Sequence, residues 1–167
     1  MKKLIAALLL AVMLASLFVP AMAETPVYAN TKNFLAVLEE NDLAYEFAGM
    51  YANTDEELIL IDNEDENFAY SFQIYLNEDN DRATVFIFNI INFADENFGN
   101  VLRTVNNLNY SYKYIRFYVD ESDNTVTCAM NIILHDKDEN GDIILEGLLR
   151  MASIQKHAYP QLSPYDK

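Results

Sequence analysis

The sequence predicts a single α+β domain: an antiparallel sheet packed by helices, in the order α-β-β-β-α-β-β-α. Three observations carry that expectation. Residues 98–112 repeat apolar side chains in steps of three and four, the period of one helix face. Residues 70–76 and 125–134 alternate instead, the period of a strand. Short polar turns join consecutive strand candidates at residues 62–67 (DNEDEN), 77–81 (NEDND) and 120–124 (DESDN). Connections that short make neighbours antiparallel, and strands grouped between helices indicate helices laid on a sheet.

Residues 1–23 read as a secretory signal peptide. Lys2 and Lys3 form its charged start, residues 4–19 an uncharged apolar run, and Pro20 breaks the run before the small-residue box Ala21-Met22-Ala23. The run is short of the roughly 20 residues a spanning helix needs. Residues 24–29 form a short leader, residues 30–162 the domain and residues 163–167 a tail.

The first helix is expected after a cap at Asn30 or Thr31, with Phe34, Leu35 and Leu38 as its stripe beside Val37. Asn41-Asp42 ends it. Residues 43–50 (LAYEFAGM) hold a candidate short strand, weakened by Gly49 and weak alternation and left out of the five-strand order. Residues 57–61 give the first strand. Tyr70, Phe72, Ile74 and Leu76 share one face of the second. Residues 82–93 are apolar on both faces, as in a central strand covered on both sides.

Asp95 is placed to cap the middle helix, with Glu96 at its positive end. Phe98, Val101, Leu102, Val105, Leu108 and Tyr112 form its apolar face. Gly99 costs up to about 1 kcal/mol there relative to alanine, which close packing would explain. Residues 115–119 and 125–134 form a hairpin. The last helix is expected over residues 142–158, with Ile144, Leu145, Leu148, Met151, Ala152 and Gln155 inward and Pro160 as its stop. There is no internal repeat.

Composition narrows the function. Cleavage after Ala23 leaves 144 residues, about one domain. It removes two lysines and no acid, so 9 basic residues face 26 acidic ones and the formal charge is −17. Such a surface opposes nucleic acid, whose phosphates need basic clusters, and anionic lipid. The lone cysteine, Cys128, excludes an internal disulfide framework. It alternates in phase with Val126, Met130, Ile132 and Leu134, so it is expected in the core rather than as a reactive thiol.

No nucleophile elbow, P-loop, dinucleotide fingerprint or zinc motif occurs. His135 lies seven residues beyond Cys128 along the expected strand, more than ~20 Å away at the strand rise, too far for a dyad. Carboxylates are plentiful but fall mostly in turns. A hydrolase would need two at a set separation in a cleft.

One acidic stretch is sharper. Residues 136–143 (DKDENGDI) match the first eight positions of a calcium loop: Asp136, Asp138 and Asn140 as oxygen ligands, Gly141 at six, the Asp142 backbone carbonyl at seven and Ile143 at eight. Position twelve is Gly147 instead of the bidentate glutamate, and Glu146 falls one place early. Calcium at such a site would bind weakly, at about 10⁻⁴–10⁻³ M. The alternative is a solvated turn, with Asn140-Gly141 supplying the bend.

The order of elements, Asn106-Asn107-Leu108-Asn109 closing the middle helix, Phe117-Tyr118-Val119-Asp120 running into an acidic turn, and Tyr159-Pro160-Gln161-Leu162 after the last helix together resemble the YbjN family of bacterial sensory-transduction-regulator domains. The resemblance covers about residues 30–162. It implies a type III secretion chaperone-like fold and a small non-enzymatic protein-binding or regulatory module able to dimerise, and it brings no catalytic residue. Asn106 and Asn109 fall on the family's repeated asparagines; from the residues alone they read as a helix C-terminus.

The expectation is therefore an exported, non-catalytic binding module without a cofactor, whose partner is a protein or a second copy of the chain. A weak calcium-binding protein and a carboxylate hydrolase are the alternatives. Tyr110, Tyr112, Tyr114 and Tyr118, beside Phe117, gather near the helix-to-hairpin junction, and tyrosine contacts well at low entropy cost.

Overall fold

The computed structural model describes residues 25–64, 68–77, 82–135 and 139–167. The expected signal peptide lies outside them, as do Asp136 and Asp138. Helix α1 is Ala29–Glu40. Strands β1 (Glu46–Met50), β2 (Glu57–Glu64), β3 (Ala69–Leu76) and β4 (Arg82–Asn92) follow. A 3-10 turn at Asp95–Asn97 leads into α2 (Phe98–Ser111). Strands β5 (Arg116–Asp120) and β6 (Thr125–Ile133) precede α3 (Asn140–Leu162). The sheet is antiparallel with order β1-β2-β3-β4-β6-β5. No helix among the described residues is long and apolar enough to cross a membrane.

The sheet thus has six strands where the sequence predicts five. The extra one, β1, sits at an edge, and its register shifts between Phe47 and Gly49, with Gly49 at φ 77°. A bulge of this kind needs the left-handed region that glycine enters freely. It also breaks the alternation by which a strand is recognised.

The core lies on one side of the sheet. Ile59 and Ile61 of β2, Phe72, Ile74 and Leu76 of β3, Ala83, Val85 and Ile87 of β4, and Val126, Cys128 and Met130 of β6 are buried there. Phe34 and Leu38 of α1, Val101, Val105 and Leu108 of α2, and Ile144, Leu148 and Met151 of α3 join them in one cluster. Helix α1 packs against α3, and α2 packs along β5. The alternation of β3 and the stripes of the helices are where the sequence places them, except that Leu102 is exposed.

Several terminal assignments change. Helix α1 starts at Ala29, and its N-cap residue, Tyr28, makes no side-chain cap bond. Instead both oxygens of Glu57 reach the incoming chain: Val27 N–H donates to Oε1 at 2.6 Å and Tyr28 N–H to Oε2 at 3.2 Å. That carboxylate is only 1% exposed and carries its negative charge to a helix N-terminus, where the dipole favours it. Asp95 does not cap α2. It opens the 3-10 turn and accepts a hydrogen bond from Asn124 Nδ2 at 2.5 Å. Helix α2 runs two residues past Asn109, to Ser111.

Pro160 does not stop α3, which continues to Leu162. Proline costs a backbone hydrogen bond at that point, but the last turn buries Ala158 and Leu162 completely, and tertiary burial outweighs the local preference. Gly141 is not the bend of a turn; it is a buried residue in the first turn of α3. Among the described residues, no atom beyond Gly99's own helix and chain neighbours lies within 4 Å of where its Cβ would stand, so packing among them does not explain that glycine.

Candidate functional site

Strand β4 is covered on one face only. Thr84, Phe86 and Phe88 project from the other, which no helix among the described residues covers, and the two-sided apolar pattern of residues 82–93 therefore marks an aromatic outer face rather than a second buried one. Antiparallel register sets Gln73 opposite Phe86 and Tyr75 opposite Thr84, so Tyr75 joins this face. Tyr51 meets Tyr75 edge-on at 5.2 Å between centroids, Tyr75 meets Phe86 edge-on at 5.7 Å, and Phe86 stacks on Phe88 at 5.0 Å and 15°. These are favourable ring geometries, and the row crosses the sheet from the loop after β1 to β4. Tyr51 is 45% and Phe88 41% exposed. Burial raises the Tyr75 phenol above its usual range, with Tyr51 and Glu56 adding in the same direction, so its hydroxyl stays protonated.

Where β4 and β6 approach β5, the same face sinks into a concavity of about 320 Å³. Its lining is Thr84, Phe86, Lys113, Tyr114, Arg116, Tyr118, Ala129 and Asn131. Tyr118 follows from register, being paired with Thr127 on β6. Burial raises its phenol, Cys128 adds to the rise and Arg116 opposes it. A smaller hollow of about 210 Å³ lies between the end of β6 and α3 and shares Tyr114 and Asn131 with the first. Gly147 lets the helix approach there: a Cβ on it would meet the Ile132 side chain. The Arg150 guanidinium stands 4.8 Å over the Tyr114 ring and pairs with Glu146 at 2.9 Å.

The expected tyrosine cluster divides. Tyr114 and Tyr118 line one cavity. Tyr110 is 87% exposed and lines neither of these hollows, and Tyr112 packs against the core. Phe117 is buried. Tyr51, Tyr75, Phe86 and Phe88, with Lys113 and Arg116, belong to the face and were missed from sequence. The in-phase spacing of Thr84, Phe86 and Phe88 was the available signal.

The family asparagines have separate roles. Asn109 pairs with both backbone groups of Phe117: its Nδ2 donates to the carbonyl and its Oδ1 accepts the N–H, each at 2.8 Å. Strand β5 ends the sheet order, so this amide acts as a one-residue neighbour on an otherwise open edge. Asn106 is exposed, and no side-chain hydrogen bond joins it to another described residue. Asn109→Ala is expected to cost about 1–2 kcal/mol by leaving two backbone groups without partners, while Asn106→Ala stays within about 0.5 kcal/mol of the parent. Urea titration of both variants checks this; equal losses would remove the pairing role.

Of the calcium-loop residues, Asn140 and Asp142 are described. Asn140 is buried and turned inward. Its Oδ1 accepts the His135 N–H at 3.1 Å, and its Nδ2 donates to His135 O at 2.5 Å and to Asn30 Oδ1 at 2.8 Å. Asn30, a cap candidate from sequence, thus ties α1 to the start of α3. Asp142 is exposed. Among the described residues no three His, Cys, Asp or Glu side chains gather in a metal-holding group. Cys128 is fully buried with Gln155 Nε2 at 2.6 Å from its sulfur, and burial pushes the thiol far above its ordinary range. It is a core residue.

The fold and this face define a small α+β module with one sheet face covered by helices and one left open by the described residues. Residues 31–146 match the family model "YbjN: Putative bacterial sensory transduction regulator", and the chain belongs to the YbjN family. The structure is similar to "Crystal structure of YbjN, a putative transcription regulator from E. coli", with a TM-score of 0.50 and 10% identity over 83% of this chain and 93% of that one. At that identity the likeness is one of fold. No curated protein matches the sequence.

Proposed function

We propose that this YbjN-family chain is an exported, non-enzymatic protein-binding module that engages its partner with the open face of the sheet. The observation that carries this reading is the aromatic row Tyr51, Tyr75, Phe86 and Phe88, whose two ends, Tyr51 and Phe88, are exposed while Tyr75 is buried between its neighbours. Rings of this size on a strand face bury much apolar area at little entropy cost when a partner covers them. The only cysteine is a core thiol, and the buried carboxylate Glu57 is occupied by two backbone amides, so neither supplies a nucleophile or a free acid. Export follows from the form of residues 1–23.

A photo-crosslinking residue placed at Phe88, at Tyr118, or at Leu149 on α3 tests this in cells that make the protein. All three positions are exposed. Phe88 and Tyr118 are expected to give one shared, discrete adduct, and Leu149 none. The same adduct from Leu149, or none from the open face, overturns the reading.

A further inference from the structure

We propose that the concavity walled by Phe86, Tyr114 and Tyr118 and flanked by Lys113 and Arg116 binds a small aromatic carboxylate. The inference does not rest on a protein partner and is measured without one. Charge is the first argument. The chain has 26 acids and 11 bases, yet among the described residues two bases and no acid line this cavity. Among the described residues the ion pair found is Arg150 with Glu146, and neither Lys113 nor Arg116 joins one. On a surface this acidic, two neighbouring cations that pair with no acid among the described residues are a local reversal of sign that attracts an anion.

The walls give the rest of the ligand. Three rings line the cavity, and Phe86 is already stacked on Phe88 from the adjoining row. A flat ring can lie against these faces, while the planar fork of arginine matches a carboxylate with two parallel hydrogen bonds. Asn131 Oδ1 accepts from Thr84 Oγ1 at 3.2 Å, which leaves the Asn131 amide hydrogens as donors at the rim. The protonated Tyr118 hydroxyl is a further donor. A volume of about 320 Å³ stands at the small end of the ~300–1,000 Å³ range of ligand pockets, suited to one ring and its acid. The overall negative charge disfavours polyanions, which would extend beyond the two cations into repulsion.

The test uses the full chain and three probes: phenylacetate, its uncharged isostere phenylacetamide, and acetate. Binding is followed by calorimetry and by amide chemical shifts. Phenylacetate is expected to saturate and to shift the amides of Arg116, Tyr118, Ala129 and Asn131. Phenylacetamide should bind roughly tenfold or more weakly, since the charge-assisted bonds are lost, and acetate should not saturate in the same range. Arg116→Gln and Lys113→Gln, both at the surface, should each weaken phenylacetate and leave the melting temperature unchanged. If phenylacetamide binds as well as phenylacetate, if both variants keep the parent affinity, if the shifts fall elsewhere, or if no saturation occurs at millimolar phenylacetate, the assignment is wrong.

Discussion

Phe93→Ala is expected to lower stability by about 3–5 kcal/mol, the usual cost of emptying a phenylalanine site in a packed core. Phe93 is completely buried where β4 ends, with Phe98 of α2 at 6.4 Å between ring centroids. It also lies at a junction of three chain segments. Its N–H donates to Asn124 O at 2.9 Å, it bridges to Asp166, and neighbouring Asn92 donates its N–H to Asp166 Oδ1 and accepts the Lys167 N–H, both at 2.8 Å. Those backbone bonds do not need the ring, so the expected loss is of packing alone. Against a typical total of roughly 5–15 kcal/mol, it removes about a fifth of the margin or more. The urea midpoint should fall at unchanged m-value, and Phe93→Leu should lose much less because most of the volume remains. Equal effects of leucine and alanine would show that the ring does not fill this site.

Periodicity carries most of the fold into the sequence. The stripe of α2 and the alternation of β3 and β6 were legible because each element faces a single core, so one physical requirement sets every second, third or fourth residue. Strand β1 was not, because its bulge at Gly49 interrupts that requirement. The outer face was hidden for a different reason. Phe86 and Phe88 are as apolar as Val85 and Ile87, and composition cannot say which side of a sheet a helix covers. Tyr118 and Tyr114 were visible as aromatic residues, but register and the curl of the loop before β5 decide that they share a cavity with Phe86, 28 residues from Tyr114. Asn109 shows the same limit. Its sequence context is that of a helix end, whereas its amide completes the edge of a strand eight residues on.

The second large effect is at Gly141. Gly141→Ala is expected to destabilise by roughly 2–3 kcal/mol, although alanine favours a helix by up to about 1 kcal/mol over glycine. Its Cβ would stand 2.6 Å from Asn33 Oδ1, 2.7 Å from Val37 Cγ2 and 2.9 Å from the Asn33 backbone oxygen. The last of these cannot retreat without moving α1, whose Phe34 and Leu38 are fully buried. The same contact satisfies α3: the Gly141 N–H donates to Asn33 Oδ1 at 2.6 Å, taking up a first-turn donor that has no partner within the helix. A methyl group that forces the helices apart therefore strains packing and loosens this bond together. Gly99→Ala supplies the control, since the helix propensity gain is similar and nothing stands within 4 Å; it should stabilise by about 0.5–1 kcal/mol. Gly147→Ala should fall between them, because its obstacle is the end of the Ile132 side chain rather than backbone. The order of melting temperatures, Gly99→Ala above the parent and the parent above Gly147→Ala and Gly141→Ala in turn, checks the argument. If Gly141→Ala melts as high as Gly99→Ala, α1 and α3 do not meet at this glycine.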